Sequence, residues 1–125
     1  NSTVFEADLL VTDWSGIAYE YAFATNKPVL FVDTPMKVMN PEYQKIDTIP
    51  INIWMRDVIG DRLDPAKTEE TESKVRNLLE QKDAYHDKIE KIVEEYVYNL
   101  GNSAEVGAKY IVQAVQEQIK KAKEQ

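Results

Sequence analysis

A serine-glycine step, Ser15 followed by Gly16, lies between an apolar run and a segment with the composition of a helix. A helix that begins directly after a strand presents its first backbone N–H groups without partners, together with the positive end of its dipole. Gly16 has no Cβ atom to block an oxygen-rich group, and the Ser15 hydroxyl can donate beside those amides. The step therefore predicts a binding site for a phosphate-type anion.

Three side chains close to the step have separate predicted roles. Glu20 lies one helical turn beyond Gly16 on the same face, where its carboxylate can accept hydrogen bonds from ribose hydroxyls. Asp13 would repel a diphosphate, and we expect it to cap the helix or brace the loop. Trp14 can cover a base or pack against the protein, and packing is the favoured interpretation.

Two apolar runs flank the step and indicate how it is held. Residues 9–11 and 29–32 predict short buried strands, and residues 15–25 predict the helix between them. The strands of such a unit are parallel, so the predicted fold class is α/β. We expect a partial Rossmann-like fold with a short sheet of two or three strands.

The segments that follow predict a loop and an edge strand. Residues 34–46 contain turn-forming pairs such as Asn40-Pro41 and predict a loop at the carboxyl end of the second strand. Residues 49–53 alternate with a period of two, and Pro50 cannot donate to a ladder, so they predict a short edge strand or an extended segment.

Amphipathic helices are predicted over the rest of the chain. Pro65 suits a first helical turn, apolar residues then recur at threes and fours, and Ser103 is the predicted N-cap of a terminal helix. We therefore expect residues 1–125 to form a single domain, with an α/β part over residues 1–60 and a helical part over residues 61–125.

The composition excludes several classes of function. The 125 residues carry 15 Lys and Arg against 22 Asp and Glu, a net charge of −7, so no nucleic-acid partner is expected. The absence of cysteine and the single histidine, His86, exclude disulfides, thiolate catalysis and a multi-histidine metal site. No apolar run approaches the roughly 18 residues of a membrane span, so the chain is expected to be soluble. The absence of cysteine fits a cytoplasmic location.

The sequence ADLLVTDWSGIAYEYA, residues 7–22, is followed by KPVLF, residues 27–31. This combination resembles the CDP-glycerol glycerophosphotransferase family, the teichoic acid polymerase-like enzymes that build surface polymers. The family pattern is Ala-Asp, an apolar strand, Thr-Asp-Tyr-Ser-Ser, a helix with an early acid, and Arg-Pro before the next strand. The resemblance is good over residues 6–33 and loose over residues 101–111.

The resemblance implies a GT-B fold, of which this chain is the C-terminal part of the donor-nucleotide lobe. Ser15 and the amides of Gly16 and Ile17 would then hold the pyrophosphate of CDP-glycerol, with Glu20 near the ribose. No cofactor and no metal are expected, because these residues supply amides and hydroxyls. Three residues depart from the pattern: Trp14 replaces the tyrosine, Gly16 the second serine and Glu20 the usual aspartate.

The resemblance also implies partners and a location. The expected partners are CDP-glycerol or a related donor, the N-terminal lobe of the same protein, and a polymer acceptor. The catalytic histidines of the family lie upstream of the matching segment, so no catalytic residue is predicted here and the 125 residues alone are expected to be inactive. The enzyme is expected in the cytoplasm, with peripheral attachment at the inner face of the cell membrane as a further expectation.

Other functions fit parts of the same pattern. Nucleotide-sugar enzymes of the GT-B type, glycosyltransferases or 2-epimerases, share it, since the 2-epimerases have a Gly-Gly step with a glutamate four residues later. A phospho-accepting receiver domain would use Asp13 as its phosphate acceptor, but it needs a paired acid on an earlier strand. A non-catalytic interaction module would use the helical surface of residues 65–125.

Overall fold

A three-stranded parallel sheet forms the framework of the first part of the chain. The computed structural model describes residues 3–36 and 38–124. Strand β1 is Leu10–Thr12, β2 is Val29–Val32 and β3 is Gly60–Leu63, and they lie in the order β1-β2-β3. Both pairings are parallel. The predicted α/β class with a short parallel sheet is therefore confirmed.

Seven α-helices lie among the described residues: α1 Thr3–Glu6, α2 Ile17–Thr25, α3 Ile51–Trp54, α4 Arg56–Ile59, α5 Thr71–Glu80, α6 Lys82–Tyr96 and α7 Ser103–Lys123. The amphipathic helices predicted after Pro65 are confirmed as α5 and α6, and the terminal helix as α7. The predicted place of Pro65 in a first helical turn is wrong, because Pro65 lies in a turn and α5 begins only at Thr71. Ser103 is the first residue of α7 and Asn102 its N-cap, without a side-chain capping bond. The predicted capping role of Ser103 is therefore wrong, because the helix begins one residue earlier than expected.

The chain divides into two units, Asn1–Val93 and Glu94–Gln125. Both clusters of buried apolar residues belong to the first unit. One cluster joins α2, β2 and α4 through residues such as Tyr21, Phe31 and Ile59, and the other consists of Leu30, Leu63 and Leu78. Among the residues that the structure describes, no helix combines the length and the apolar character needed to cross a bilayer.

Strand β3 is an element that the sequence did not predict. Its residues, GDRL, show little apolar character, and the strand forms by pairing with β2 from Val29 opposite Gly60 to Val32 opposite Leu63. A Cβ atom on Gly60 would lie 1.8 Å from the carbonyl oxygen of Val29. Only glycine lets the two backbones approach this closely.

The edge strand predicted over residues 49–53 is wrong, because residues Ile51–Trp54 form α3. Pro50 directly precedes this helix with φ −56° and ψ 141°, and a proline there loses no helical hydrogen bond. Five alternating residues were too short a pattern to outweigh this helix-start signal. The predicted loop over residues 34–46 contains only a 3₁₀ turn, Tyr43–Lys45, among its described residues. Lys37, within that loop, lies outside the described residues.

Candidate functional site

The Ser15–Gly16 step closes the connection between β1 and α2. Strand β1 ends at Thr12 and α2 begins at Ile17, so four residues starting at Asp13 join them. Ser15 and Gly16 are both exposed. Gly16 occupies the N-cap position with φ −61° and ψ −22°, an ordinary helical conformation that any residue can adopt.

Two backbone N–H groups at this step have no partner among the described residues. The N–H of Ser15 donates to Oδ1 of Asp13 at 3.1 Å, and the N–H of Ala18 donates to the carbonyl oxygen of Ser15 at 3.3 Å. Between them, the amides of Gly16 and Ile17 meet no acceptor within residues 3–36 and 38–124. These donors lie at the positive end of a nine-residue helix, which favours a bound anion.

The space beside Gly16 is open. A Cβ atom built on this residue would meet no atom within 4 Å. The turn therefore has room for a small side chain at this position.

Glu20 lies in the first turn of α2 with an exposed side chain. In the described part of the chain, its carboxylate takes part in no ion pair or hydrogen bond. The side chain of Ile17 is half-buried, so its contribution at the step is its backbone. The structure thus places Ser15, Gly16, Ile17 and Glu20 together at the beginning of α2.

Asp13 and Trp14 hold the loop before the step. Oδ1 of Asp13 accepts the Ser15 N–H, so this carboxylate is tied to its own loop. The Nε1–H of Trp14 donates to the carbonyl oxygen of Thr34 at 2.6 Å, which links the loop to the segment after β2.

The indole of Trp14 lies against a buried arginine, Arg56, that no motif in the sequence marks. The guanidinium carbon of Arg56 is 3.8 Å from the Trp14 ring centroid and 4.9 Å from that of Phe31. Arg56 belongs to α4 and is 1% exposed. Its Nη2 donates to the carbonyl oxygen of Val32 at 3.4 Å.

A carboxylate at the end of β2 pairs with two arginines. Oδ1 of Asp33 lies 2.9 Å from Nη2 of Arg56, at an ion-pair distance but without the geometry of a hydrogen bond. Nε of Arg62 donates to Oδ2 of Asp33 at 2.8 Å, and this hydrogen bond raises the pKa of Arg62. Within the described residues, Nε and Nη1 of Arg56 are buried without a partner. Asp33 could have been found from its place directly after an apolar strand, whereas no local pattern marks Arg56.

A cleft of about 220 Å³ opens beside Trp14. Its walls come from Trp14, from the loop after β2 and from α3, including Met39, Tyr43 and Ile53. The residues that line the cleft are mainly apolar and aromatic. One of them, Trp14, directly precedes Ser15, so the cleft lies beside the Ser15–Gly16 step.

A family model matches most of the chain. The model described as CDP-glycerol:poly(glycerophosphate) glycerophosphotransferase matches residues 1–116. The chain belongs to this family. The suspected family is thereby confirmed. No curated protein and no solved structure matches the chain.

The glycerophosphotransferase match contains the whole site. The connection between β1 and α2, Asp33 and Arg56 all lie within residues 1–116. The single histidine, His86, lies on α6 with Nε2 3.5 Å from Nδ2 of Asn26. Asn26 is the C-cap of α2, so His86 contacts the opposite end of that helix from the step.

Proposed function

We propose that Ser15, Gly16, Ile17 and Glu20 bind the donor nucleotide of an enzyme that transfers glycerol phosphate from CDP-glycerol to a polymer hydroxyl. The observation that carries the proposal is the pair of unpartnered amides of Gly16 and Ile17. They belong to a chain of the glycerophosphotransferase family, whose donor would present a diphosphate to such amides.

The charged side chains of Arg56 and Asp13 near the step are already engaged, which supports binding of the diphosphate by backbone amides of the protein. Arg56, a nearby cation, is buried and paired with Asp33. The carboxylate of Asp13 is occupied by the Ser15 amide. In this proposal the diphosphate is held by the two free amides, the Ser15 hydroxyl and the helix dipole, and the Glu20 carboxylate accepts hydrogen bonds from the ribose.

The proposed reaction is a phosphoryl transfer. The acceptor hydroxyl oxygen attacks the phosphorus atom that carries the glycerol, the bond from that phosphorus to the oxygen of CMP breaks, and CMP leaves. The hydroxyl proton passes to a base, which we propose lies in an N-terminal lobe of a GT-B fold outside these residues. Amide donors on the diphosphate would stabilise the charge that develops on the leaving CMP.

The wider setting follows from the same proposal. The acceptor would be a teichoic-acid-type surface polymer, and the enzyme would work in the cytoplasm at the inner face of the membrane. Without the base, the 125 residues would bind CDP but would not turn over CDP-glycerol.

An amide-resolved NMR titration of the 125-residue chain with CDP tests the proposal. We expect the amide signals of Ser15, Gly16 and Ile17 to shift first, because they lie at the unpartnered donors. Shifts confined to α5, α6 and α7 would contradict the proposed site. Turnover of CDP-glycerol by this chain would contradict the proposed position of the base.

A matched pair of serine variants tests the role of the hydroxyl. Ser15→Ala is expected to weaken CDP binding by about fivefold, because one donor to a charged phosphate is lost. Ser103→Ala removes another exposed hydroxyl at the start of a helix and is expected to leave the affinity unchanged. Equal affinities for the two variants would contradict the assignment. Tighter binding of a UDP-sugar than of CDP would favour the nucleotide-sugar enzymes instead.

A further inference from the structure

The orientation of Trp14 is fixed by two contacts from distant parts of the chain. The indole N–H donates to the carbonyl oxygen of Thr34 at 2.6 Å, and the guanidinium of Arg56 lies over the ring at 3.8 Å. Trp14 directly precedes Ser15 in a four-residue connection whose ends are held by β1 and α2. Its side chain therefore anchors the loop that leads into the step.

Arg56 is an unusual residue for the place it occupies. Its side chain is 1% exposed, and its Nε and Nη1 atoms have no hydrogen-bond partner in the described part of the chain. Burying such donors opposes folding, and an apolar residue of similar size could fill the same volume. The unsatisfied donors therefore call for an explanation other than stability.

The contacts of Arg56 supply that explanation. A guanidinium is planar and stacks on an aromatic face, which an aliphatic side chain cannot do. Asp33 and the carbonyl oxygen of Val32 hold the Nη2 end of the group at the carboxyl end of β2. The Trp14 ring stacks against the guanidinium that these contacts hold in place. Together with the hydrogen bond to Thr34, Arg56 thus fixes the position of the indole relative to the sheet.

We propose that Arg56 is a positioning residue for donor binding: it holds Trp14, and through Trp14 it presents the amides of Gly16 and Ile17 in the arrangement that a diphosphate requires. This inference rests on the proposed function, since it assigns to Arg56 a part in the same site. Arg56 itself does not touch the donor, because its side chain is buried beneath the indole.

Arg56→Met in the 125-residue chain tests the inference with two measurements. The first is hydrogen exchange of the Trp14 indole N–H by NMR, with its signal distinguished from that of Trp54 by a Trp54→Phe variant. The second is the dissociation constant for CDP. We expect indole exchange to become about tenfold faster and CDP affinity to fall about fivefold, because Trp14 loses one of its two contacts while the amide donors remain.

Arg62→Met is the matched control. Arg62 also pairs with Asp33, but its side chain is 47% exposed, and the guanidinium over the Trp14 ring is that of Arg56. This variant is expected to keep the wild-type indole exchange and CDP affinity. If Arg62→Met had the same effects as Arg56→Met, the loss of charge at Asp33 would explain both and the inference would be overturned.

The outcomes separate this inference from the proposed function. If wild-type protein binds CDP and Arg56→Met binds it equally well, the proposed function stands and the positioning role is wrong. If wild-type protein does not bind CDP, the proposed function fails, whatever the indole exchange shows. If Arg56→Met does not fold, Arg56→Lys decides, because lysine keeps a charge beside Asp33 but lacks the planar group. Unchanged CDP affinity in Arg56→Lys would overturn the inference.

Discussion

The polar groups at the step differ in whether they already make hydrogen bonds within the protein. Asp13 and the amide of Ser15 bind each other, and Trp14 donates to Thr34. By contrast, the amides of Gly16 and Ile17 remain available. The anion binding proposed for this loop therefore depends on two peptide groups, and the neighbouring side chains of Asp13 and Trp14 are already engaged within the protein.

Gly16→Ser is a prediction about one of these residues. Its Cβ atom would meet no neighbour within 4 Å and its backbone is helical, so the melting temperature should change little. The added hydroxyl lies beside the amides and should tighten CDP binding about threefold. Thermal unfolding and calorimetric titration measure both effects. Weaker binding would mean that a side chain at this position obstructs the diphosphate.

The elements that support the site were only partly visible in the sequence. Strands β1 and β2 and helix α2 follow from apolar runs and the Ser-Gly step, because local composition decides them. Strand β3 depends on pairing with β2, and its own residues carry no strand pattern. The grouping of Ser15, Ile17 and Glu20 around Gly16 was predictable, because these residues are close together in the sequence. Arg56 meets Trp14 only because the chain passes through β2 before it returns in α4, and no local pattern reports such a contact.

Gly60→Ala is a prediction about the pairing of β2 with β3. The new Cβ atom would lie 1.8 Å from the Val29 carbonyl oxygen, so the strands must separate. We expect the free energy of unfolding to fall by about 3 kcal/mol in a denaturant titration. Gly16→Ala, whose Cβ atom meets open space, is the matched control and should stay within about 0.5 kcal/mol of the wild type. Similar stability of the two variants would contradict the close approach of the strands.

The whole molecule keeps its buried apolar clusters and its candidate site in the same unit. Both clusters consist of residues between Ala18 and Ile89, and the site lies between Asp13 and Arg56. The unit Asn1–Val93 therefore contains both buried clusters and every residue of the proposed donor site.

Truncation after Tyr96, the last residue of α6, tests this division. Residues 1–96 are expected to unfold cooperatively and to bind CDP with the affinity of the full chain, because no residue of either buried cluster is removed. Circular dichroism and NMR titration measure the two properties. A truncated chain without a cooperative transition would show that the first unit depends on the second.

Alkaline pH should destabilise the molecule. Burial raises the pKa of Tyr21, which is fully buried, and burial likewise raises the pKa of Tyr19 and Tyr85 above their usual value of 10.0. The unfolded chain therefore loses these phenol protons at a lower pH than the folded chain. The stability that the protonated tyrosines contribute is fully present below about pH 10, and it is lost as the pH rises through their raised pKa values in the folded protein.

Denaturant titrations from about pH 8 to about pH 11 measure this loss. Tyr21→Phe is expected to reduce the slope, since one of the titrating groups is gone. It should also lower stability at neutral pH by about 1 kcal/mol, because the Tyr21 hydroxyl donates to the Ala7 carbonyl oxygen at 2.9 Å. An unchanged slope would contradict the part assigned to Tyr21.

The order β1-β2-β3 has a consequence for biosynthesis. Each strand pairs with the one made just before it, so the sheet can grow in the direction in which a ribosome releases the chain. The nascent β1 and β2 can pair before β3 has emerged, and β3 then adds to an existing edge without inserting between completed strands. Such sequential growth keeps the loops that must close short and limits the time during which strand edges of the nascent chain stay uncovered.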